Sequence, residues 1–357
     1  MKESPVTRVR LLAFALLTTA FFAPKIDAAT PALVLDIGSH AVLYAEDAGK
    51  PWYPASTTKL MTALVAFEAL RDGEVTLDTP VVMSKQAMSQ KSLESGLKVG
   101  RAMRLEDALY AAFAGSANDV AFAIAETVAG SEAAFVERMN AEARRLGLTA
   151  THYANANGLF DPAQHVSARD LAVLAMTVYE SFPQYRPVFA TARVEVDGKS
   201  VNSFNALLTR YPGAVGMKTG FLCDSGRNLV GLAERDHRKI MVILLGATTD
   251  RERAERAAKF MTEAFEGKLE PTGTTVSQIE NRPQEKPDDM RRLLCTPQGA
   301  AYEAEREALF PMGLPGQESY LGAEIPPTVR VVTTWQVEEK EEPESANVPI
   351  PTPRPEG

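Results

Sequence analysis

Three short clusters carry side chains whose types and spacing could attack a carbonyl. Pro54-Ala55-Ser56-Thr57-Thr58-Lys59 stands at the entry to an apolar stretch with helical spacing. A hydroxyl at a helix start lies near free backbone N–H groups. A lysine three residues on shares its face one turn further along. Serine is a poor nucleophile until a neighbour takes its proton, and a neutral amine can do so. The plain alternative is an N-cap serine and a surface lysine, and Ser95 to Lys98 repeats the spacing in a polar stretch. Gly115-Ser116-Ala117-Asn118-Asp119 interrupts two helical segments. Its hydroxyl and amide can enter one cleft, as proton relay and amide holder. Read as a capping box, Ser116 is instead the N-cap and Asp119 the third helical residue. Ser203 to Asn205 and Ser345 to Asn347 match the same pattern. Lys218-Thr219-Gly220 occurs once. In a strand, Lys218 and Gly220 face one way and Thr219 the other. Glycine there admits a ligand backbone, and Lys218 with Thr219 can bind a carboxylate; the alternative is a strand-end lysine before a turn.

The elements that must position these clusters are readable from periodicity. Ala32 to Glu46 reads as two strands around Gly38-Ser39-His40. Leu60, Ala63, Leu64, Phe67 and Leu70 recur at helical spacing up to Gly73. Helical patterns follow over Leu105 to Ala114, from about Asp119, over Glu132 to Leu146 and over Arg169 to Tyr179. Strand patterns return at Met217 to Leu222, Leu229 to Ala233 and Ile240 to Leu245. The last two are joined through Arg235-Asp236-His237-Arg238 as a hairpin. A helix closes the series at about Arg251 to Phe265. Strands, many helices, strands and a helix predict an α/β (α+β) fold. Its antiparallel sheet is built from both ends of the catalytic domain and flanked by helices, with a helical subdomain. Residues 270–290 are rich in Pro, Thr and charge and read as a linker or irregular lobe. A short helix at Ala300 to Leu309 and a strand at Val329 to Trp335 follow. The expected organisation is therefore a 29–269 catalytic domain, a 270–335 extension and a 336–357 tail. The tail holds six Glu and five Pro and is expected to be disordered.

Residues 1–28 combine a basic start (Lys2, Arg8, Arg10), an apolar run from Leu11 to Phe22 and small residues at Ala28 and Ala29. That is the layout of a secretory signal peptide, short for a membrane span, with an uncleaved membrane anchor as the alternative; either way the body is expected outside the cytoplasm. The chain carries −8, and its first 28 residues hold four basic and two acidic side chains, leaving −10 on the rest. Such a balance argues against a nucleic-acid partner. Two cysteines, Cys223 and Cys295, could pair after export; two separate thiols are equally compatible with the sequence. His40, His152, His165 and His237 are scattered without paired-ligand spacing, so neither a metal nor another cofactor is expected.

Together the clusters resemble those of the serine D-alanyl-D-alanine carboxypeptidases, the low-molecular-mass penicillin-binding proteins. That family has a Ser-x-x-Lys helix start, a Ser-x-Asn loop and a Lys-Thr-Gly strand. Gly158-Leu159, Ser167-Ala168-Arg169-Asp170, Asn205-Ala206-Leu207-Leu208 and Gly226-Arg227-Asn228-Leu229-Val230 also resemble family stretches, and the likeness covers roughly residues 30–266. The resemblance implies a β-lactamase/DD-peptidase-like fold. It implies that Ser56 attacks the carbonyl between two D-alanines, that Lys59 activates it, and that Ser116 and Asn118 serve proton transfer and placement. It further implies that Lys218, Thr219 and Gly220 receive the terminal carboxylate segment, with the backbone N–H groups of Ser56 and Phe221 as the oxyanion hole. Burial and the Lys218 charge would lower the Lys59 pKa. The implied partners are wall peptides ending in D-Ala-D-Ala, with β-lactams as inhibitors. The acidic tail departs from the family's basic membrane-docking helix, so no C-terminal anchor is evident. A D,D-endopeptidase using the same residues is a competing reading. So are a β-lactamase, for which no Glu-x-x-Leu-Asn segment is found, and a binder without turnover. Tyr153-Ala154-Asn155 resembles a Tyr-x-Asn element but is read as structural, and Cys223 could tie Cys295 close to the site.

Overall fold

A computed structural model describes residues 30–311, 314, 316 and 318–337. The signal segment, the tail beyond Val337 and Ser345 to Asn347 lie outside the described residues. The chain opens with β1 (Ala32–Asp36) and β2 (Ala41–Glu46), then α1 (Lys59–Arg71), β3 (Pro80–Val82) and β4 (Arg101–Arg104). The helices α2 (Leu105–Ala114), α3 (Asn118–Ala129), α4 (Glu132–Arg145), α5 (Ala168–Ser181) and α6 (Arg186–Ala190) follow. Next come β5 (Arg193–Val196), β6 (Lys199–Asn202) and α7 (Leu207–Arg210). The strands β7 (Ala214–Leu222), β8 (Gly226–Arg235) and β9 (Arg238–Ala247) precede α8 (Asp250–Phe265), α9 (Gly299–Leu309), β10 (Val329–Val332) and β11 (Trp335–Gln336).

The main sheet has the order β2-β1-β9-β8-β7, and every neighbour pair is antiparallel. It is thus assembled from both ends of the catalytic domain, as the sequence predicts. A strand buried on both faces reads as an unbroken apolar run, and β9 is one. Its Ile240, Val242 and Leu244 pack with Ala257, Ala258 and Met261 of α8, while Met241, Ile243 and Leu245 join the core of the helical side. That core surrounds α1. The spacing of α1 predicts one apolar face, but every residue from Lys59 to Ala69 is buried. A helix enclosed on all sides has no polar face to display, so Lys59 is held inside the protein with its amine among fixed partners.

Residues 270–291 are largely irregular and are bonded to the body at several points. Val42 exchanges backbone hydrogen bonds with the 272–274 segment, and Asn281 donates to Asp170. Arg291 grips the Asp224 carboxylate at 2.6 and 2.7 Å. The strand expected over Val329 to Trp335 is two. β10 pairs in parallel with β5, and β11 pairs with β4. Thr334, between them, turns inward to bond Asp197, and Gln336, assigned above to the tail, belongs to β11.

Cys223 and Cys295 are joined, with Cα atoms 5.8 Å apart and a separation of 72 residues. A cross-link closing a loop of that size stabilises by about 4 kcal/mol in the chain-entropy account. Cys295 is exposed, so Cys295→Ser is expected to fold and to unfold at a clearly lower temperature than wild type. Two titratable thiols in the unreduced protein, or equal midpoints, would contradict the cross-link.

Candidate active site

Ser56 sits in a 3₁₀ turn, Ala55–Thr58, that feeds directly into α1. The turn is wedged between two glycines. A Cβ on Gly158, whose φ is +89°, would lie 2.0 Å from the Ala55 carbonyl oxygen. A Cβ on Gly220 would lie 2.8 Å from the Ser56 nitrogen. Only a residue without a side chain lets loop and strand approach the serine this closely. Asn155 shapes the first contact by accepting from Gly158 N–H at 2.7 Å, while Tyr153 is buried away from the cavity. The Tyr-x-Asn element is therefore part of the scaffold.

Lys59 Nζ lies 3.1 Å from Ser56 Oγ, 2.7 Å from Asn118 Oδ1 and 2.7 Å from the Asn157 carbonyl. A neutral amine has two N–H donors and one lone pair. Two of these partners can only accept, so the lone pair of neutral Lys59 falls toward the serine hydroxyl. Burial, reinforced by the nearby Lys218 charge and opposed by Asp119, holds the Lys59 pKa well below its ordinary value. The amine is thereby biased to the form that can take a proton.

Asn118 lines the cavity; its amide N–H groups donate to the Lys91 and Ser92 carbonyls at 3.0 and 2.6 Å, so that it joins Lys59 to the 91–92 loop. The capping-box alternative for Ser116 fails, because Ala117 is the N-cap of α3. Ser116 takes a left-handed φ of +55° and accepts from Lys218 Nζ at 3.0 Å. Burial and the charge of Arg253 bring the Lys218 pKa down to about 7.

These groups surround a cavity of about 330 Å³ lined by Ser56, Ser116, Asn118, Thr219, Gly220 and Phe221, among others. Lys59 and Lys218 stand behind its wall, at most 2% exposed, each bonded to a serine that lines it. Arg253 also lines it, held by the Phe204 carbonyl at 2.7 Å and Asp250 at 2.8 Å. Sequence reading missed Arg253 and the Asn157 carbonyl. The other pattern matches are structural. Ser95 bonds Asp119 rather than Lys98, and Asn205 ties Gly216 to the start of α7. The Ser167-Ala168-Arg169-Asp170 stretch caps α5 and gathers Ala150, Thr151 and Asn281 on Asp170. His152 and His165, which looked scattered, face each other across a backbone bridge with ring centres 6.2 Å apart. No third ligand joins them among the described residues.

An antiparallel sheet that packs a serine–lysine helix start against its edge strand is the β-lactamase-like fold of the penicillin-binding DD-peptidases. The sequence family described as D-alanyl-D-alanine carboxypeptidase, peptidase family S11, matches residues 18–249, and the chain belongs to it. Among curated relatives, D-alanyl-D-alanine carboxypeptidase DacF of Bacillus subtilis is 32% identical over 242 residues, covering 66% of this chain and 62% of that protein. The chain thus spans less than two thirds of that relative's length. Penicillin-binding protein 6B of Escherichia coli aligns with a TM-score of 0.62 at 30% identity, over 66% of this chain and 76% of that one. Penicillin-binding protein D2 of Listeria monocytogenes, solved in a cefotaxime-bound form, aligns at 0.58 and 28% identity, over 67% of this chain and 97% of that one.

Proposed function

We propose that this protein is a serine D-alanyl-D-alanine carboxypeptidase that removes the terminal D-alanine of wall peptides through an acyl-enzyme on Ser56. The observation that carries the reading is the lone-pair geometry of Lys59. A buried amine with two acceptors already filled has one direction left for proton transfer, and the Ser56 hydroxyl occupies it. As Ser56 Oγ bonds to the scissile carbonyl, its proton passes to Lys59 and the oxygen of that carbonyl becomes anionic. The backbone N–H groups of Ser56 and Phe221 are the proposed donors to it. Ser116, held by Lys218, passes its proton to the departing amine and is resupplied with the proton that Lys59 took, so that both groups return to their starting forms. Thr219 and Arg253 meet the terminal carboxylate, Arg253 as a charged fork. Water then releases the acyl group. β-Lactams would acylate the same serine.

The disulfide, the signal-like residues 1–28 and the wall-enzyme family support export, with the periplasm or cell envelope as the site of action. Among the described residues no helix is long and apolar enough to cross a membrane. Incubation with a penicillin followed by peptide mapping is expected to find the adduct on Ser56, and a peptide ending in D-Ala-D-Ala is expected to release D-alanine steadily. An adduct elsewhere would reject the site. Labelling without D-alanine release would reject the carboxypeptidase in favour of a binder.

A further inference from the structure

The β7–β8 hairpin is tied to the chain ahead of Ser56 at two levels. At the inner level Gly220 pairs with Asn228, whose amide donates to the Tyr53 and Pro54 carbonyls at 2.8 and 3.0 Å. At the turn, the Trp52 indole N–H donates to the Ser225 carbonyl at 2.8 Å, which secures the β8 side. The β7 side is the edge of its sheet, with β8 as its one strand neighbour there. Phe221, whose N–H is a proposed oxyanion donor, stands on that side between Gly220 and the turn. Such a donor works only when held within about 0.5 Å of its place.

The β7 side of the turn is held by residues 288–295. Cys223 lines the cavity and is bonded to Cys295. Beside it, the Asp224 carbonyl accepts from the Met290 N–H at 3.0 Å, and its carboxylate accepts from Arg291 at 2.6 and 2.7 Å. Met290 packs so near the turn that a Cβ on Gly226 would lie 2.6 Å from its sulfur. The segment is itself well founded. Met290 and Leu294 are buried, and Asp288 accepts from Lys50, on the stretch leading to Ser56, at 2.6 Å.

We propose that the Cys223–Cys295 bond is a positioning element of the reaction. With Arg291 it braces the outer end of β7 and so fixes the Phe221 N–H relative to that of Ser56. The proposal rests on the acyl-enzyme reading above. Cys295 is exposed and Cys223 half-buried, so a dithiol can reach the bond. In the exchange the two S–H groups of the dithiol become its own disulfide, and Cys223 and Cys295 each gain a hydrogen. Neither cysteine belongs to the hydrophobic core, so opening the bond releases the turn and leaves the fold standing.

The test follows acylation of the full chain by a β-lactam in the native form, after reduction with dithiothreitol, and in Cys223→Ser/Cys295→Ser. Stopped-flow measurement separates the limiting acylation constant from the dissociation constant of the non-covalent complex that precedes it. In both unbridged forms the limiting constant is expected to fall about tenfold, less than the roughly 10²–10³ that follows outright loss of an oxyanion donor. The dissociation constant should not move. Reoxidation should restore the reduced protein, and dithiothreitol should leave the double variant as it was. Arg291→Ala keeps the bond and alters an exposed residue, and should show a smaller fall in the same constant. Unchanged limiting constants overturn the brace, read in the unbridged forms or, where these do not fold, in Arg291→Ala. A change confined to the dissociation constant also overturns it, because the bond would then shape binding and not the oxyanion donors. If the native, bridged protein is not acylated at all, the acyl-enzyme reading itself has failed, which is a different result.

Discussion

Lys59→Arg lowers the rate at which a β-lactam acylates Ser56 by about a thousandfold or more, while the protein remains folded. The size follows from the chemistry of general-base catalysis, which contributes about 10²–10⁴ in rate, and from what arginine cannot do. A guanidinium stays charged at any working pH, so it has no lone pair to offer the serine hydroxyl. Lysine at this position is a different case, because complete burial and the neighbouring Lys218 charge push it toward neutrality. The Asn118 oxygen and the Asn157 carbonyl occupy two of its directions and aim the third at Ser56 Oγ. A larger charged group in a closed pocket could also act by disturbing the turn, so Lys59→Met is the companion variant. It removes the base with little change of volume and should lose acylation to a similar degree, with a melting temperature no lower than wild type. If acylation persists in both, the proton leaves Ser56 by another route. Ser116 with Lys218, 3.0 Å apart, is then the base to examine.

Why the sequence disclosed some of this and not the rest is a matter of which signals are local. The sheet was legible because β8 and β9 are long, apolar and joined by a short polar turn, and hydrophobic period is the strongest single-chain signal. Short strands such as β3, with three residues, cannot display a period at all. The pairing of β10 with β5 joins Val329 to Arg193, and no local pattern announces a partner at that distance. At the site, Ser56 and Lys59 share one helix start, so their proximity could be derived. The convergence of Ser116 and Lys218 rested on family resemblance. Arg253 was illegible for a different reason: α8 carries Arg251, Arg253 and Arg256, and composition cannot say which one turns to the cavity. The Asn157 carbonyl has no side-chain identity to read. The cysteine pair was open because two thiols 72 residues apart carry no geometric information until the chain is folded.

The buried Lys218 leads to the second large expectation, which concerns stability against pH. In the folded protein its pKa is brought down to about 7, first by burial and then by Arg253, while in the unfolded chain it returns to about 10.4. Between those values the unfolded state holds a proton that the folded state has released, so stability rises with pH across that window. Below about pH 7 both states are protonated, and the cost of enclosing a cation is carried in full. Lys59, shifted in the same direction, adds to the slope. Lys218→Met removes the enclosed charge but keeps the side chain's bulk, at the loss of bonds to Ser116 Oγ and the Thr219 carbonyl. The variant should therefore melt above wild type at pH 6. Its advantage should shrink by on the order of 4 kcal/mol as the pH is raised to 10, while acylation is weakened throughout because Ser116 has lost the amine that bonds it. Melting curves of the two proteins from pH 6 to 10 decide the matter. Parallel curves would mean that Lys218 keeps an ordinary pKa in the folded state. Its burial would then be compensated by polar partners beyond the two hydrogen bonds named here, and its charge, present over the whole range, would depress the basicity of Lys59 further.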